Sequence, residues 1–432
     1  MSDSLFEGVT PLPSVPELAD APVRYETANR SQVELLPVDL EALLPPGHAA
    51  RLVWRFVEGL DLSAWYAGIK AREGGPGRTP IDPKILLALW LYATIDGVGS
   101  AREVDRLCTS HDAYRWLCGG VSVNHHTLSD FRVAHHAALD DVLTQSIAAL
   151  RHKGIVTLAR VAQDGTRIRA SAGVGSFRRE GTLQDCLREA RKLVDRTQRQ
   201  AEGRVSASEA AQARAAAERL ARVEEALAEL PAVAAAKQRN RAKGAPKVST
   251  TDPTARVMKM SDGGFRPAYN VQFATDHDGH VIVGVAVTNA GNDQQQLTPM
   301  LAQIAQRVGC PDVLLVDGGY VSHPAIDAAD AQGIEILAPV PRRRGTNEPV
   351  PIQPDDSVAV AAWRTRMHTD EAKAQYRWRG AIAERINADV RTHRTLSQLL
   401  VRGLTKVHTW ALWVALAHNV MRAQGIVPHQ MM

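Results

Sequence analysis

Apolar positions along this chain fall into two rhythms that alternate. From Leu40 to about Leu150 they recur at three to four residues, and Leu128, Phe131, Leu139, Val142, Leu143, Ile147 and Leu150 continue one such series, so this region is predicted to be helical. Ser100-Ala-Arg-Glu103 precedes Val104, Leu107 and Cys108 as a capping box. Two short apolar runs, Ile155 to Ala162 and Val313 to Val316, each lead into an aspartate, Asp164 and Asp317, which predicts strands with a carboxylate at the end. Between them, residues 183–243 are rich in Ala, Arg, Glu and Gln with leucines at helical intervals, predicting an antiparallel helical pair broken near Gly203 to Ser208. Strands are predicted at Tyr269 to Thr275 and His280 to Thr288 around the turn Asp276-His-Asp-Gly279, then a helix at Gln294 to Val308. A helix near His323 to Gln332 and a strand at Ile334 to Leu337 follow, with a loop from Pro339 to about Met367. From Ala381 to Val401 neither Gly nor Pro occurs, and Ile382, Ile386 and Val390 share a helical face that leaves Glu384 projecting.

Composition changes this picture only at the margins. A chain of 432 residues, 45% hydrophobic, can bury sizeable cores in two or three domains. Residues 1–30, rich in Pro, Ser and acids, are expected to be a flexible arm. A net charge of +4 permits nucleic-acid binding without requiring it, so the distribution of charge decides. Lys and Arg exceed Asp and Glu across residues 166–247, most densely in Lys237-Gln-Arg-Asn-Arg-Ala-Lys-Gly-Ala-Pro-Lys247, which fits phosphate binding or a solvated linker. Four dispersed cysteines, an acidic Pro-rich start and apolar runs too short for a bilayer (Ile85 to Ile95, Trp410 to Ala417) predict a cytoplasmic protein without membrane contact.

The chemistry concentrates in Asp164, Asp317 and Glu384. Oxygen ligands from two strand ends and a helix suit hard divalent cations such as Mg²⁺, with Mn²⁺ as substitute. A pair of such ions about 3.5–4 Å apart serves in-line phosphoryl transfer. The rival readings are ordinary ones: Asp-Gly is a common turn dipeptide, and Glu384 could pair with Arg391 or Lys373 on a helix. Asp276, Asp278 and Asp293 are further carboxylates near sheet elements and could supplement a ligand. Arg377, Arg379, Arg385, Arg391 and Arg394 surround Glu384, and the guanidinium fork matches phosphate oxygens. His125, His126, His135 and His136 lack cysteine partners at zinc spacing, and no Gly-rich phosphate loop with a following Lys is present.

Asp164-Gly-Thr, Asp317-Gly-Gly-Tyr-Val-Ser and the series Tyr376, Arg379, Glu384, Arg391 resemble the signature of bacterial insertion-sequence DDE transposases. Ser100-Ala-Arg and Thr127-Leu-Ser-Asp-Phe-Arg132 are similar to the InsH-type N-terminal domain of that group, and Tyr269-Asn-Val-Gln-Phe-Ala-Thr-Asp276 with Asn292-Asp293 also fits it. The resemblance implies an α+β ribonuclease H-like catalytic domain over residues 153–425. Its mixed five-stranded sheet is flanked by helices and interrupted by a helical insertion at about 171–262. An all-helical DNA-recognition domain over 31–152 precedes it. It implies Asp164, Asp317 and Glu384 as catalytic residues and ligands of two Mg²⁺ ions, and Tyr376, Arg379 and Arg391 as DNA contacts. The partners would be terminal inverted repeats and target DNA, with a homodimer pairing two ends. Asp164 and Asp317 are more than twice as far apart in sequence as Asp317 and Glu384, whereas many relatives carry their large insertion after the second aspartate. The activity implied is end cleavage and strand transfer of the 3′ hydroxyl. The alternatives are a transposase-derived DNA-binding protein without catalysis and a nonspecific ribonuclease H-like nuclease.

Overall fold

The helical rhythm of the amino-terminal third folds as α1 (Ala49–Glu58), α2 (Ser63–Ala67), α3 (Pro83–Ile95), α4 (Ala101–Ser110), α5 (Asp112–Cys118), α6 (His125–Ala134) and α7 (His136–His152). The computed structural model describes Ser31 and residues 39–71, 79–200, 206–241, 243–343, 345–346, 348–394 and 398–423, so the arm expected at residues 1–30 lies outside the described residues. Helix α3 is apolar on every side and is buried from Pro83 to Ile95, as such a helix must be. Pro83 suits its first turn, and the Asp82 side chain accepts from the Lys84 amide at 2.9 Å. The capping box at Ser100 does not form: Ser100 starts α4 without a side-chain bond, and Glu103 pairs with Arg106 instead.

Strand β1 (Arg160–Arg169) opens the sheet region. After β2 (Phe177–Arg178) come the long helices α8 (Glu180–Gln200) and α9 (Ala207–Arg239), then β3 (Val248–Ser249), which pairs with β2. Leu183 of α8 packs against Ala226, Leu230 and Val233 of α9, while Arg191 reaches Glu224, so the pair runs antiparallel as expected. A capping box does occur at Ser206 and Glu209, at the start of α9.

The main sheet then takes β4 (Arg256–Lys259), β5 (Phe265–Asp276), β6 (Ile282–Thr288), β7 (Val313–Leu315) and β8 (Glu335–Leu337), with α10 (Leu297–Val308) and α11 (His323–Asp330) as connections. β1 lies antiparallel to β5 on one edge and parallel to β7 on the other, and β7 lies parallel to β8. β4 and β6 pair with successive stretches of the same edge of β5. Six strands thus occupy five ranks, in the order β6-β5-β1-β7-β8 with β4 extending the first rank. An antiparallel trio followed by two parallel strands is the ribonuclease H-like arrangement. The expected loop after Pro339 is only partly loop. Its second half forms α12 (Val358–His368), because Val360 and Trp363 bury against Ile326 and the Trp363 ring nitrogen donates to the Ala338 carbonyl at 3.2 Å. Helix α13 (Asp370–Arg379), a π-helical turn (Gly380–Glu384), α14 (Arg385–Thr392) and α15 (Leu404–Ala423) complete the chain.

Helix α15 joins the two halves. Apolar on all sides and buried from Thr409 to Met421, it packs on α3, α7 and β6. The Trp413 ring nitrogen donates to the Arg132 carbonyl at 3.0 Å, so the amino-terminal helices and the sheet share one core. The residues from Leu40 onward form one compact unit. Among the described residues no helix is long and apolar enough to cross a membrane.

This shared core predicts a pH dependence. His408 of α15 donates to the Val285 carbonyl at 3.1 Å, and burial, with help from nearby His136 and Arg307, holds its pKa below the ordinary 6.5. Burial likewise lowers His48, His135 and His280. The unfolded chain therefore binds more protons than the fold just below pH 6.5. Stability is full above that value and falls as pH drops through it. Thermal melts from about pH 7.5 to 5.5 should show a declining midpoint, with a shallower decline in His408→Gln.

Candidate active site

Asp164 sits in the interior of β1 rather than at its end, opposite Phe273 of β5. Asp164-Gly165 is therefore no turn: Gly165 pairs with Gln272 in the ladder. A glycine inside a strand marks close approach by another group, and here the approach is visible. A Cβ on Gly165 would meet Asn270 Oδ1 and Asp293 Oδ1 at 2.7 Å each, and Gln272 Nε2 closer still.

Beneath this point lies a buried amide layer. Gln272 Nε2 donates to Asp293 Oδ1 at 2.8 Å and to Asn270 Oδ1 at 3.1 Å, and Asn270 Nδ2 donates to Asp293 Oδ1 at 2.7 Å. Gln163 Nε2 reaches Gln272 Oε1 at 3.3 Å and the Gln296 carbonyl at 3.1 Å. The Tyr320 hydroxyl donates to Gln272 Oε1 at 2.5 Å. Tyr320 ends the 3₁₀ turn Gly318–Tyr320, which Asp317 caps by accepting from the Gly318 amide at 2.6 Å. One network therefore runs from the turn carrying Asp317 to the residue beside Asp164. Among the described residues of this layer Gln163 Oε1 alone is buried without a partner, and the remaining bonds hold the layer in one arrangement.

On the other face of β1 the helical segment from α13 to α14 closes over Asp164. Ile382 and Ala383 of the π-turn pack with Ala162, Leu315 and Leu337, and Tyr376 is half-buried against the same cluster. Arg379 Nη2 lies 3.5 Å from Asp164 Oδ1 and 3.9 Å from Asp317 Oδ2, so one guanidinium group serves both aspartates. Its Nε is buried without a partner. Asn387 Nδ2 donates to Asp164 Oδ2 at 3.0 Å. Burial raises the Asp164 pKa, and Asp293 and Asp317 push it the same way against Arg379 and the Gly165 amide. Burial also raises Tyr376, within reach of both aspartates.

Asp164, Asp317, Arg379 and Tyr376 are thus brought together from three remote segments. Glu384 and Arg391 are not in direct contact with them. Glu384 is exposed, its carboxyl leaning back over Gly380 at 3.7 Å from where a Cβ would stand. Arg391 is exposed and donates to the Asn387 carbonyl at 3.2 Å. Among the described residues no three carboxylate, imidazole or thiol groups stand close enough to hold a metal ion together. The donor set nevertheless fits a hard cation. Two carboxylates share a single guanidinium, a third negative charge on Asp293 is nearby, and burial opposes ionisation of Asp164, so added positive charge relieves the site.

Asn387 escaped the sequence reading, although an Asn between Ile386 and Val390 on a buried helical face is a detectable oddity. Gln272 and Tyr320 stand inside the motifs that carry the resemblance, but neither they nor Gln163 was given a role in the site, because an apolar run does not show which of its polar residues form a buried amide layer.

The ribonuclease H-like sheet thus sets Asp164, within β1, beside Asp317, just past the end of the adjacent strand β7. Residues 241–420 match the family model of the transposase DDE domain, and residues 38–134 match that of a transposase domain of unknown function. Together the two matches support an insertion-sequence DDE transposase. No curated protein and no solved structure gives a significant match. The two family matches connect the chain with DNA transposition in the broad sense. The DDE match begins after α8 and α9, so it includes Asp317 and Glu384 but not Asp164.

Proposed function

We propose that this chain is an active transposase that cuts DNA at the ends of its element and joins the freed 3′ hydroxyl to target DNA. The observation carrying this reading is the Arg379 guanidinium held between Asp164 and Asp317, residues with no proximity in sequence. In the cutting step a water oxygen bonds to phosphorus and the phosphorus bond to the 3′ oxygen breaks, leaving a 3′ hydroxyl on the element and a 5′ phosphate on the flank. In joining, that hydroxyl bonds to a target phosphorus and displaces a target 3′ oxygen. Bonds broken equal bonds formed in each step, so no nucleotide hydrolysis is needed.

Asp164, Asp317 and Glu384 would hold two Mg²⁺ ions, with Mn²⁺ able to replace them. Bound there, the ions supply activation of the attacking oxygen and charge stabilisation of the leaving one. For Glu384 this requires its exposed carboxylate to turn from Gly380 toward Asp164. Arg379, which lies against both aspartates, would be placed to donate to a phosphate oxygen of DNA bound at the site, and Tyr376 and Arg391 would contact the transposon end. The partners are terminal inverted repeats and target DNA in the cytoplasm, with two copies of the chain pairing two ends. The amino-terminal helices α1–α7 supply end recognition.

The test is incubation of the full chain with duplexes carrying the element's ends, a target plasmid and Mg²⁺. Joined products dependent on both ends and metal support the reading. Cutting of any DNA without joining would favour a nonspecific nuclease, and end binding without cutting in either Mg²⁺ or Mn²⁺ a binding protein that has lost catalysis.

A further inference from the structure

A groove of about 1150 Å³ opens between the end of α9, the chain that leaves it, the β4 edge and the loop Asn289–Gln295. It is the part of the basic insertion to which end cutting assigns no role. Arg179, Arg239, Lys243, Lys247 and Lys259 line it, all exposed, and among the described residues none of them forms an ion pair. Two further cations are spoken for. Arg256 pairs with Glu229, the one acidic side chain lining the groove, and Lys237 donates to the carbonyls of Lys243 and Gly244 at 3.0 and 3.2 Å, which folds the basic segment back onto α9. The segment is therefore built into a wall rather than left as a solvated tail.

The groove is also tied to the strand that carries Asp164. Arg167, three residues on and on the face that Gly165 presents, opposite that of Asp164, donates to the Lys259 carbonyl at 2.8 Å and to the Gly291 carbonyl at 2.9 Å, joining two walls of the groove to β1. The loop forming the far wall carries Asp293, which is held over Gly165. Phe265 lies in the same groove, 65% exposed, where an apolar ring on a monomer's surface is otherwise wasted. A row of unpaired cations interleaved with an exposed aromatic ring is the chemistry of a DNA backbone track.

We infer that this groove holds the sugar-phosphate backbone of DNA bound by the chain, without regard to base sequence. The inference rests on the transposase reading and adds a specific surface to it. Five free cations, set against a single carboxylate that Arg256 already neutralises, favour phosphate contacts, which position DNA but carry no sequence information.

The experiment uses the full chain with fluorescein-labelled duplexes, one carrying an element end and one of unrelated sequence, titrated at several salt concentrations. The triple variant Lys243→Ala, Lys247→Ala, Lys259→Ala is expected to bind both duplexes roughly tenfold or more weakly, with the slope of log affinity against log salt reduced by about one for each phosphate no longer neutralised. The triple Lys→Arg variant should keep wild-type affinity, which separates missing charge from impaired folding. Unchanged affinity and slope in a triple alanine variant with a wild-type melting temperature overturns the groove while leaving the transposase reading intact. A loss confined to the element-end duplex overturns it also, because the groove would then be reading sequence. Failure of the wild-type chain to bind either duplex removes the parent reading, and the groove with it.

Discussion

Asp164→Asn is expected to reduce Mg²⁺-dependent end cleavage by roughly a thousandfold or more, because loss of an anionic metal ligand removes several kcal/mol of transition-state stabilisation. Activity loss alone would not separate a catalytic carboxylate from a structural one, and the stability of the variant does. Burial, Asp293 and Asp317 raise the Asp164 pKa above its ordinary 3.8. A raised carboxylate pKa means the fold favours the proton more than the unfolded chain does, so its stabilising contribution exists in acid and is lost as pH rises through the folded value. At pH 7 the ionised carboxylate is a burden on the fold. The amide removes that burden: its oxygen accepts from Gly165 and Arg379 in place of Oδ1, and its NH2 group, in place of Oδ2, donates to Asn387 once the Asn387 amide turns over. The metal-free variant should therefore melt at or above the wild-type temperature at pH 7. Mg²⁺ should raise the wild-type midpoint by mass action and leave the variant's unchanged. A variant that melts well below wild type and still gains stability from Mg²⁺ would show that Asp164 is structural and that the metal binds elsewhere.

Much of this arrangement was legible in the sequence because it rests on local rules. The five ranks of the sheet follow from short apolar runs, from the Asp276 to Gly279 turn and from helices placed where parallel strands need crossovers. The antiparallel pair α8 and α9 follows from propensity and leucine spacing. What escaped depended on contacts between remote segments. Ser100 has the right neighbours for a capping box, yet Arg106 takes Glu103. The stretch after Pro339 reads as loop, yet Val360 and Trp363 find Ile326 and form a helix. At the site, the two aspartates and Arg379 were anticipated as functional groups, but not their shared ion pair, since pairing across more than 200 positions leaves no periodic trace. The π-turn carrying Glu384 was likewise hidden. Its composition is that of an ordinary helix, and Ile382 and Ile386 are buried around an exposed Glu384 as an α-helix would also place them, so the wider turn shows only in the backbone.

Gly165→Ala tests whether the amide layer positions the site. The added methyl would enter space held by Asn270, Gln272 and Asp293. These are not flexible ends that can move aside: Asn270 and Gln272 are at most 1% exposed, and Asp293 accepts from both. Relief requires breaking at least one of those bonds, and a donor left buried without a partner adds its own desolvation cost to the strain of overpacking. Together these give a loss of about 2–4 kcal/mol. Because Tyr320 donates to Gln272 at the far side of the layer, displacement of Gln272 also releases the turn that presents Asp317. The variant should thus lose cleavage beyond what its stability explains: at a temperature where it remains folded, the rate should still fall by on the order of a hundredfold, since a displacement of about 1 Å at a reacting group has that effect. DNA affinity, carried by cations outside the layer, should stay near wild type. A folded Gly165→Ala protein with wild-type cleavage would mean that the layer serves the sheet alone and that Asp164 and Asp317 are aligned by Arg379 and the helices above them.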